Sequence, residues 1–124
     1  MTENMNSKSP YVGFSSRKAF GKVLVELAME NDAIVALTAD LTDSVQLVDF
    51  QKTFPDRFVN FGVAEQNMTG AAAGLTLAGK IPFTCTYAVF SSMRACEQMR
   101  TDIAYNDLPV RIVSTHGGIT FGVA

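Results

Sequence analysis

The chain has 124 residues, 48% of them hydrophobic and 18% charged, with a formal net charge of -2. That length sustains one domain with a real core but not two, and the near-neutral balance, free of any Lys or Arg run, leaves no electrostatic footprint for nucleic acid or a membrane surface. Cys85 and Cys96 form neither a C-x-x-C pair nor a Cys/His cluster, so they read as reduced core thiols rather than zinc or redox ligands. The polar start of the chain does not fit a secretory signal, and no apolar run approaches the roughly 18 residues needed to span a bilayer. A soluble, cytoplasmic protein is expected.

Residues 1–14 form a polar leader with too little apolar surface to offset the entropy of ordering it, so it is expected to be flexible. From Ser15 or Ser16, a good N-cap, Ala19, Phe20, Val23, Leu24, Leu27 and Ala28 recur at three- and four-residue spacings, which predicts a helix ending near Asn31. Residues 34–37 are a short apolar run between turn signals and read as a buried strand. A polar loop, 38–44, leaves its C-terminal end and leads to a helical stretch, 45–53, broken at Pro55. A second strand is predicted over 57–61 and a second long helix from Glu65 to about Gly79, a residue suited to the left-handed C-cap. The third strand, 82–86, is read as continuing through 87–90, with Ser91 or Ser92 capping a helix over 93–105. In that helix Ala95, Cys96, Met99, Ile103 and Ala104 are assigned to the inner side, and Arg94, Glu97, Arg100 and Asp102 to the outer side. A fourth strand, 110–113, opens into a glycine-rich loop.

Strands alternating with helices of this length predict right-handed βαβ units and a three-layer α/β/α fold with a mainly parallel sheet. Residues 15–124 are read as one domain. Because no closing helix or strand comes after the glycine-rich loop, that domain is expected to be incomplete at its C-terminal side.

Several residues stand where such a sheet places chemistry, at the C-terminal ends of strands. Glu65 lies at a helix start, where the helix dipole favours an ionised carboxylate and capping alone would explain it. His116, the one histidine of the sequence, opens the glycine-rich loop, and a structural role is the ordinary reading for a lone histidine. Gly117 and Gly118 permit either a ligand close to the backbone or a tight turn. Asp40 can be a helix cap, and Tyr87 and Phe90 can be core aromatics at a strand end.

Five segments, taken together and in order, resemble the pyrimidine-binding domain of transketolase. They are S-R-K-A at Ser16, T-A-D-L-T at Thr38, F-V-N-F-G-V-A-E-Q-N-M at Phe58, T-Y-A-V-F at Thr86 and L-P-V-R-I-V-S-T-H-G-G-I at Leu108. The resemblance is strongest to the small C-terminal subunit of two-chain transketolases. It implies a thiamine-diphosphate-binding fold and transfer of a two-carbon ketol unit between sugar phosphates.

In that family the glutamate of G-V-A-E-Q hydrogen-bonds N1′ of the cofactor's aminopyrimidine and promotes the imino tautomer that removes the thiazolium C2 proton. The resemblance assigns this role to Glu65. Burial is then expected to act against the helix dipole and leave the group substantially protonated or sharing a proton. The resemblance also implies that Tyr87 and Phe90 line the pyrimidine pocket, with Met93 at a third, usually aromatic, position. His116 falls in the substrate channel, as a substrate contact or proton relay, and Asp40 falls close to the cofactor at a subunit interface.

The G-D-G and downstream Asn that bind the diphosphate through Mg²⁺ in these enzymes are missing, so no metal ligand is assigned in this chain. Those groups are expected on a diphosphate-binding partner subunit, with the active site between chains of a homo- or hetero-oligomer. Two alternatives stay open. One is a 1-deoxy-D-xylulose-5-phosphate synthase-like enzyme with the same cofactor; the other is a non-catalytic assembly or regulatory module derived from such a domain.

Overall fold

In a computed structural model of the chain, residues 15–118 are described. The leader at 1–14 and the remainder of the glycine-rich loop, 119–124, lie outside them. The organising element is β1 (Ile34–Thr38), which is buried along its whole length. It pairs in parallel with β2 (Phe58–Asn60) on one side and β3 (Ile81–Tyr87) on the other, and β3 pairs with β4 (Arg111–Thr115). The resulting four-stranded sheet has the order β2-β1-β3-β4 and every pair is parallel. A central parallel strand has both faces covered, which is why I-V-A-L-T reads as an unbroken apolar run rather than an alternation.

Helices cover the two faces. Helix α1 (Ser16–Glu30) and α2 (Val48–Thr53) pack against each other on one side, where Leu24, Ala28, Val45, Leu47 and Phe50 meet Ile34, Ala36 and Cys85. Helix α3 (Glu65–Leu77) covers the other side, and its Met68 and Ala72 meet Val35, Leu37 and Ala39. The α/β/α layering expected from the sequence is the layering found.

The ends of the elements obey their local chemistry. Ser15 caps α1, its hydroxyl accepting from the Lys18 amide at 3.3 Å. The last carbonyls of α1 accept from Arg57, whose guanidinium reaches Ala28 at 3.0 Å and Asn31 at 3.1 Å while lying over the Phe54 ring. Gly21 lets α1 press onto the loop after β1, since a Cβ there would stand 2.3 Å from the Gln46 carbonyl oxygen. Helix α3 ends at Leu77 and turns out through Gly79 at φ +79°, the left-handed conformation anticipated for that glycine.

The structure corrects the sequence reading in three places. The predicted helix over 45–53 is α-helical only at Val48–Thr53; before it, Val45 and Leu47 are buried in turns whose amides bond to Leu41 and Thr42. β3 stops at Tyr87 instead of running on to Phe90, and a helical segment, 88–104, begins at once. Ser91 and Ser92 therefore cap nothing, and their hydroxyls donate back to the Ala88 carbonyl at 3.1 and 2.6 Å. The segment contains two wide π-helical turns, Phe90–Arg94 and Met99–Ala104, around a short α-helical piece, Cys96–Gln98. These turns change its inner face: Ala95 and Ile103 are buried as expected, whereas Cys96 and Ala104 are exposed, and Arg94, exposed as expected, also reaches back to Glu65.

The two cysteines consequently differ in kind. Burial pushes the Cys85 thiol up to about 12, so it stays protonated and unreactive through neutral pH, while Cys96 is open to solvent. Because the thiolate is the nucleophile, a maleimide at about pH 8 is expected to label one site, Cys96, in the native protein and a second only in denaturant. Peptide mapping that finds Cys85 labelled under native conditions would contradict this packing.

Candidate active site

All four strands are parallel, so their C-terminal ends share one edge of the sheet. The strand order reverses direction between β1 and β3, and ligands of doubly wound sheets bind beside such a reversal. The loops leaving this edge are tightly bent, with left-handed backbone at Asp40 (φ 60°), Gly62 (φ 67°) and His116 (φ 56°). These bends place the candidate residues along the edge.

Glu65 is the first residue of α3. Ala64 precedes it at the N-cap with no side-chain cap, and the Glu65 carboxylate does not turn back to serve the helix. Its two oxygens instead accept from one nitrogen, Nη1 of Arg94, each at 2.9 Å. Glu65 is 1% exposed, while the Arg94 side chain remains 44% exposed. The residue read as an outward-facing cation is therefore the counter-ion of the most deeply buried acid. Weighing burial against the helix dipole alone leaves this cation out.

The Arg94 guanidinium lies 4.2 Å above the Phe90 ring. Phe90 stacks on Tyr87 with centroids 5.8 Å apart and planes 20° from parallel. Tyr87 in turn meets the His116 ring at 4.3 Å. His116 Nδ1 lies 2.8 Å from the Thr115 hydroxyl, and its Nε2 lies 3.3 Å from Nη1 of Arg17. A guanidinium can only donate, so this geometry selects the tautomer with its lone pair on Nε2 and its proton on Nδ1. Arg17 is itself fixed by donation to the Ser44 carbonyl at 3.0 Å.

Glu65, Phe90, Tyr87 and His116 thus form one contiguous row, joined by Arg94 at one end and Arg17 at the other. At the Arg17 end an open cleft of about 640 Å³ lies between α1 and β4, with Arg17, Phe20, Thr115, His116 and Gly117 among its lining residues. Two candidates stand apart from the row. Met93 is 75% exposed. Asp40 is exposed and tied to Asn60, whose side-chain oxygen accepts from the Asp40 amide at 2.9 Å; no described helix has Asp40 as its cap. The two arginines had no assigned role in the sequence reading. The F-x-x-x-R spacing of Phe90 and Arg94 is the one local signal that could have pointed to the first, since such residues share a helix face.

The family model described as transketolase, pyrimidine binding domain matches residues 13–124. The chain belongs to that family. It is 51% identical over 106 residues to a putative transketolase C-terminal section of Methanocaldococcus jannaschii, a match covering 86% of this chain and 34% of that protein. A solved structure described as a split gene transketolase, inactive beta4 tetramer, superposes with a TM-score of 0.74 at 55% identity, covering 81% of this chain and 33% of that one. The chain is also 42% identical to the 1-deoxy-D-xylulose-5-phosphate synthase of Clostridium acetobutylicum over 82% of its own length and 16% of that enzyme's. It spans about a third of the length of the transketolase relatives.

Transketolases use thiamine diphosphate, and the residues of this pyrimidine-binding domain fit one end of it. A buried carboxylate suits a ring nitrogen, and a stacked aromatic pair suits a flat heterocycle. Among the described residues the buried Thr86 hydroxyl has no hydrogen-bond partner, and strand alternation places it on the α3 side of β3, opposite Cys85. Among the described residues no three His, Cys, Asp or Glu side chains converge to hold a metal ion, and no helix is long and apolar enough to cross a membrane.

The Glu65–Arg94 pair carries an asymmetric stability cost. Arg94→Met strands a carboxylate that has no water, and because the arginine is itself partly exposed the loss is expected at or below the low end of the buried-pair range, about 3 kcal/mol. Adding Glu65→Gln removes the stranded charge, so the double variant should regain most of that loss. Urea denaturation of the two single variants and the double variant measures this, and additive effects would show that the pair is not coupled.

Proposed function

We propose that this domain is the pyrimidine-binding part of a transketolase, transferring a two-carbon ketol unit from a ketose phosphate to an aldose acceptor with thiamine diphosphate. The observation that carries this reading is the buried Glu65 carboxylate beside the stacked Tyr87–Phe90 pair. Bound cofactor supplies a carbanion equivalent for the carbon chemistry. This chain's residues orient and tune it. Glu65 holds the proton at N1′ of the aminopyrimidine, and Tyr87 and Phe90 flank the ring, with Met93 closing over it in the assembled enzyme.

His116, whose Nε2 accepts from Arg17 beside the cleft, contacts the sugar hydroxyls or relays a proton. Arg17 beside it gives the cleft a cation suited to the anionic end of a sugar phosphate. Asp40 stands at the interface with a partner chain that provides the diphosphate and Mg²⁺ ligands, so catalysis requires an oligomer whose active site lies between chains. A polar leader at 1–14 and a domain from residue 15 onward complete this arrangement, in a cytoplasmic enzyme.

The similarity to 1-deoxy-D-xylulose-5-phosphate synthase favours a second reading with the same cofactor and the same role for Glu65. Product analysis separates the two, because only the second forms 1-deoxy-D-xylulose 5-phosphate. Assembled with its diphosphate-binding partner, thiamine diphosphate and Mg²⁺, the wild-type chain is expected to support ketol transfer, and Glu65→Gln to lower turnover by about 10²- to 10⁴-fold, the usual worth of a positioned proton-transfer group. Near-normal turnover of Glu65→Gln at saturating cofactor would overturn the assignment, and cofactor binding without turnover in the wild type would point to an assembly module.

A further inference from the structure

We infer that Arg94 is a positioning residue for Glu65, fixing the direction of the carboxylate that meets the aminopyrimidine. The inference rests on the proposed role of Glu65 and concerns a residue for which the family resemblance gave no function. Nη1 lies at the same distance, 2.9 Å, from both carboxylate oxygens, so it stands on the bisector of the group and holds it against rotation. Each oxygen keeps a further lone-pair site for another donor. The contact thus orients the acceptor without exhausting it.

The guanidinium is in turn fixed by the ring below it. Phe90 carries Arg94 at 4.2 Å on one side of the π-helical turn and stacks on Tyr87 at 5.8 Å. That turn closes with a backbone bond spanning five residues, from the Ala95 amide to the Phe90 carbonyl at 3.1 Å. Wide turns of this kind occur mostly as single insertions at functional places in helices. Here the turn presents Phe90 and Arg94 together. The aromatic pair and the carboxylate's aim therefore form one mechanical unit: a ring flanked by Phe90 meets a carboxylate whose orientation is set by the cation resting on that same Phe90. Among the described residues Arg94 is the one cation ion-paired with Glu65.

Lysine can supply the charge but not the planar guanidinium that lies over Phe90. This separates positioning from mere charge balance. The test uses the enzyme assembled with its diphosphate-binding partner and compares wild type, Arg94→Met, Arg94→Lys and Glu65→Gln. Two quantities are read: calorimetric affinity for thiamine diphosphate, and the rate of deuterium exchange at the thiazolium C2 of the bound cofactor by NMR.

A misaimed proton acceptor should slow exchange by about 10- to 100-fold in Arg94→Met while cofactor affinity falls by less than about threefold, with Arg94→Lys recovering part of the rate. If Arg94→Met does not fold, Arg94→Lys carries the test through the same split between exchange and affinity. Exchange at the wild-type rate in both Arg94 variants, with Glu65→Gln slow, would overturn the inference and leave the function of Glu65 standing. Slowing matched by an equal loss of affinity would also overturn it, since that marks a structural role. Wild-type exchange in Glu65→Gln would remove the role of Glu65 itself, and with it the need for a positioning residue.

Discussion

A carboxyl group at 1% exposure has lost its water, so its oxygens need partners from within the protein. In this domain Arg94 stands opposite Glu65, and much of the surrounding architecture serves that requirement. The cation must arrive from the helical segment after β3, because Glu65 begins the helix after β2. It must also be held, and the face of Phe90 holds it. Removing Arg94 strands the buried carboxylate, whereas removing Glu65 leaves Arg94 with Phe90 and solvent, which is why the two are expected to behave as a coupled pair with unequal costs.

The sheet explains how residues so far apart in sequence come together. Parallel strands deliver their loops to one edge, and the order β2-β1-β3-β4 puts the ends of β2 and β3 on either side of the buried central strand. Helix α3 then crosses back over β1 with its N-terminus at that edge, carrying Glu65 towards the aromatics that end β3. β4 brings His116 to the far side of Tyr87. The row from Glu65 to His116 is thus a product of topology. Its chemistry is supplied by a few side chains at loop ends, and an acid at one end and a histidine at the other suit a cofactor ring and a substrate lying side by side.

The regular elements were legible because their periodicity is local. The Ser15 cap, the spacing in α1, the apolar run of β1 and the left-handed Gly79 each depend on neighbours in sequence. Glu65, Tyr87, Phe90 and His116 were legible as candidates for a different reason, through the ordered motifs of a family to which the chain proves to belong. The start of the segment 88–104 reads wrongly from sequence because Y-A-V-F has the composition of a strand, whereas sheet pairing stops at Tyr87. Each π-helical turn there admits an extra residue and rotates the remainder of the helix, so a face assigned on a 3.6-residue period drifts out of phase; Cys96 and Ala104 end outside for this reason. Arg94 escapes a sequence reading because its partner lies 29 residues away, and no local pattern announces a pairing of that range. Asp40 had a local explanation as a cap, yet its left-handed backbone and the contact with Asn60 place it in a cross-strand loop link instead.

The central claim is that Glu65 meets the aminopyrimidine in a pocket bounded by Tyr87 and Phe90. A crystal structure of this chain with its diphosphate-binding partner and thiamine diphosphate tests it most directly. The account predicts the pyrimidine ring against Tyr87 and Phe90, with N1′ within hydrogen-bond distance of a Glu65 oxygen. A bound cofactor whose pyrimidine lies away from both aromatics, with N1′ facing another residue, would contradict it.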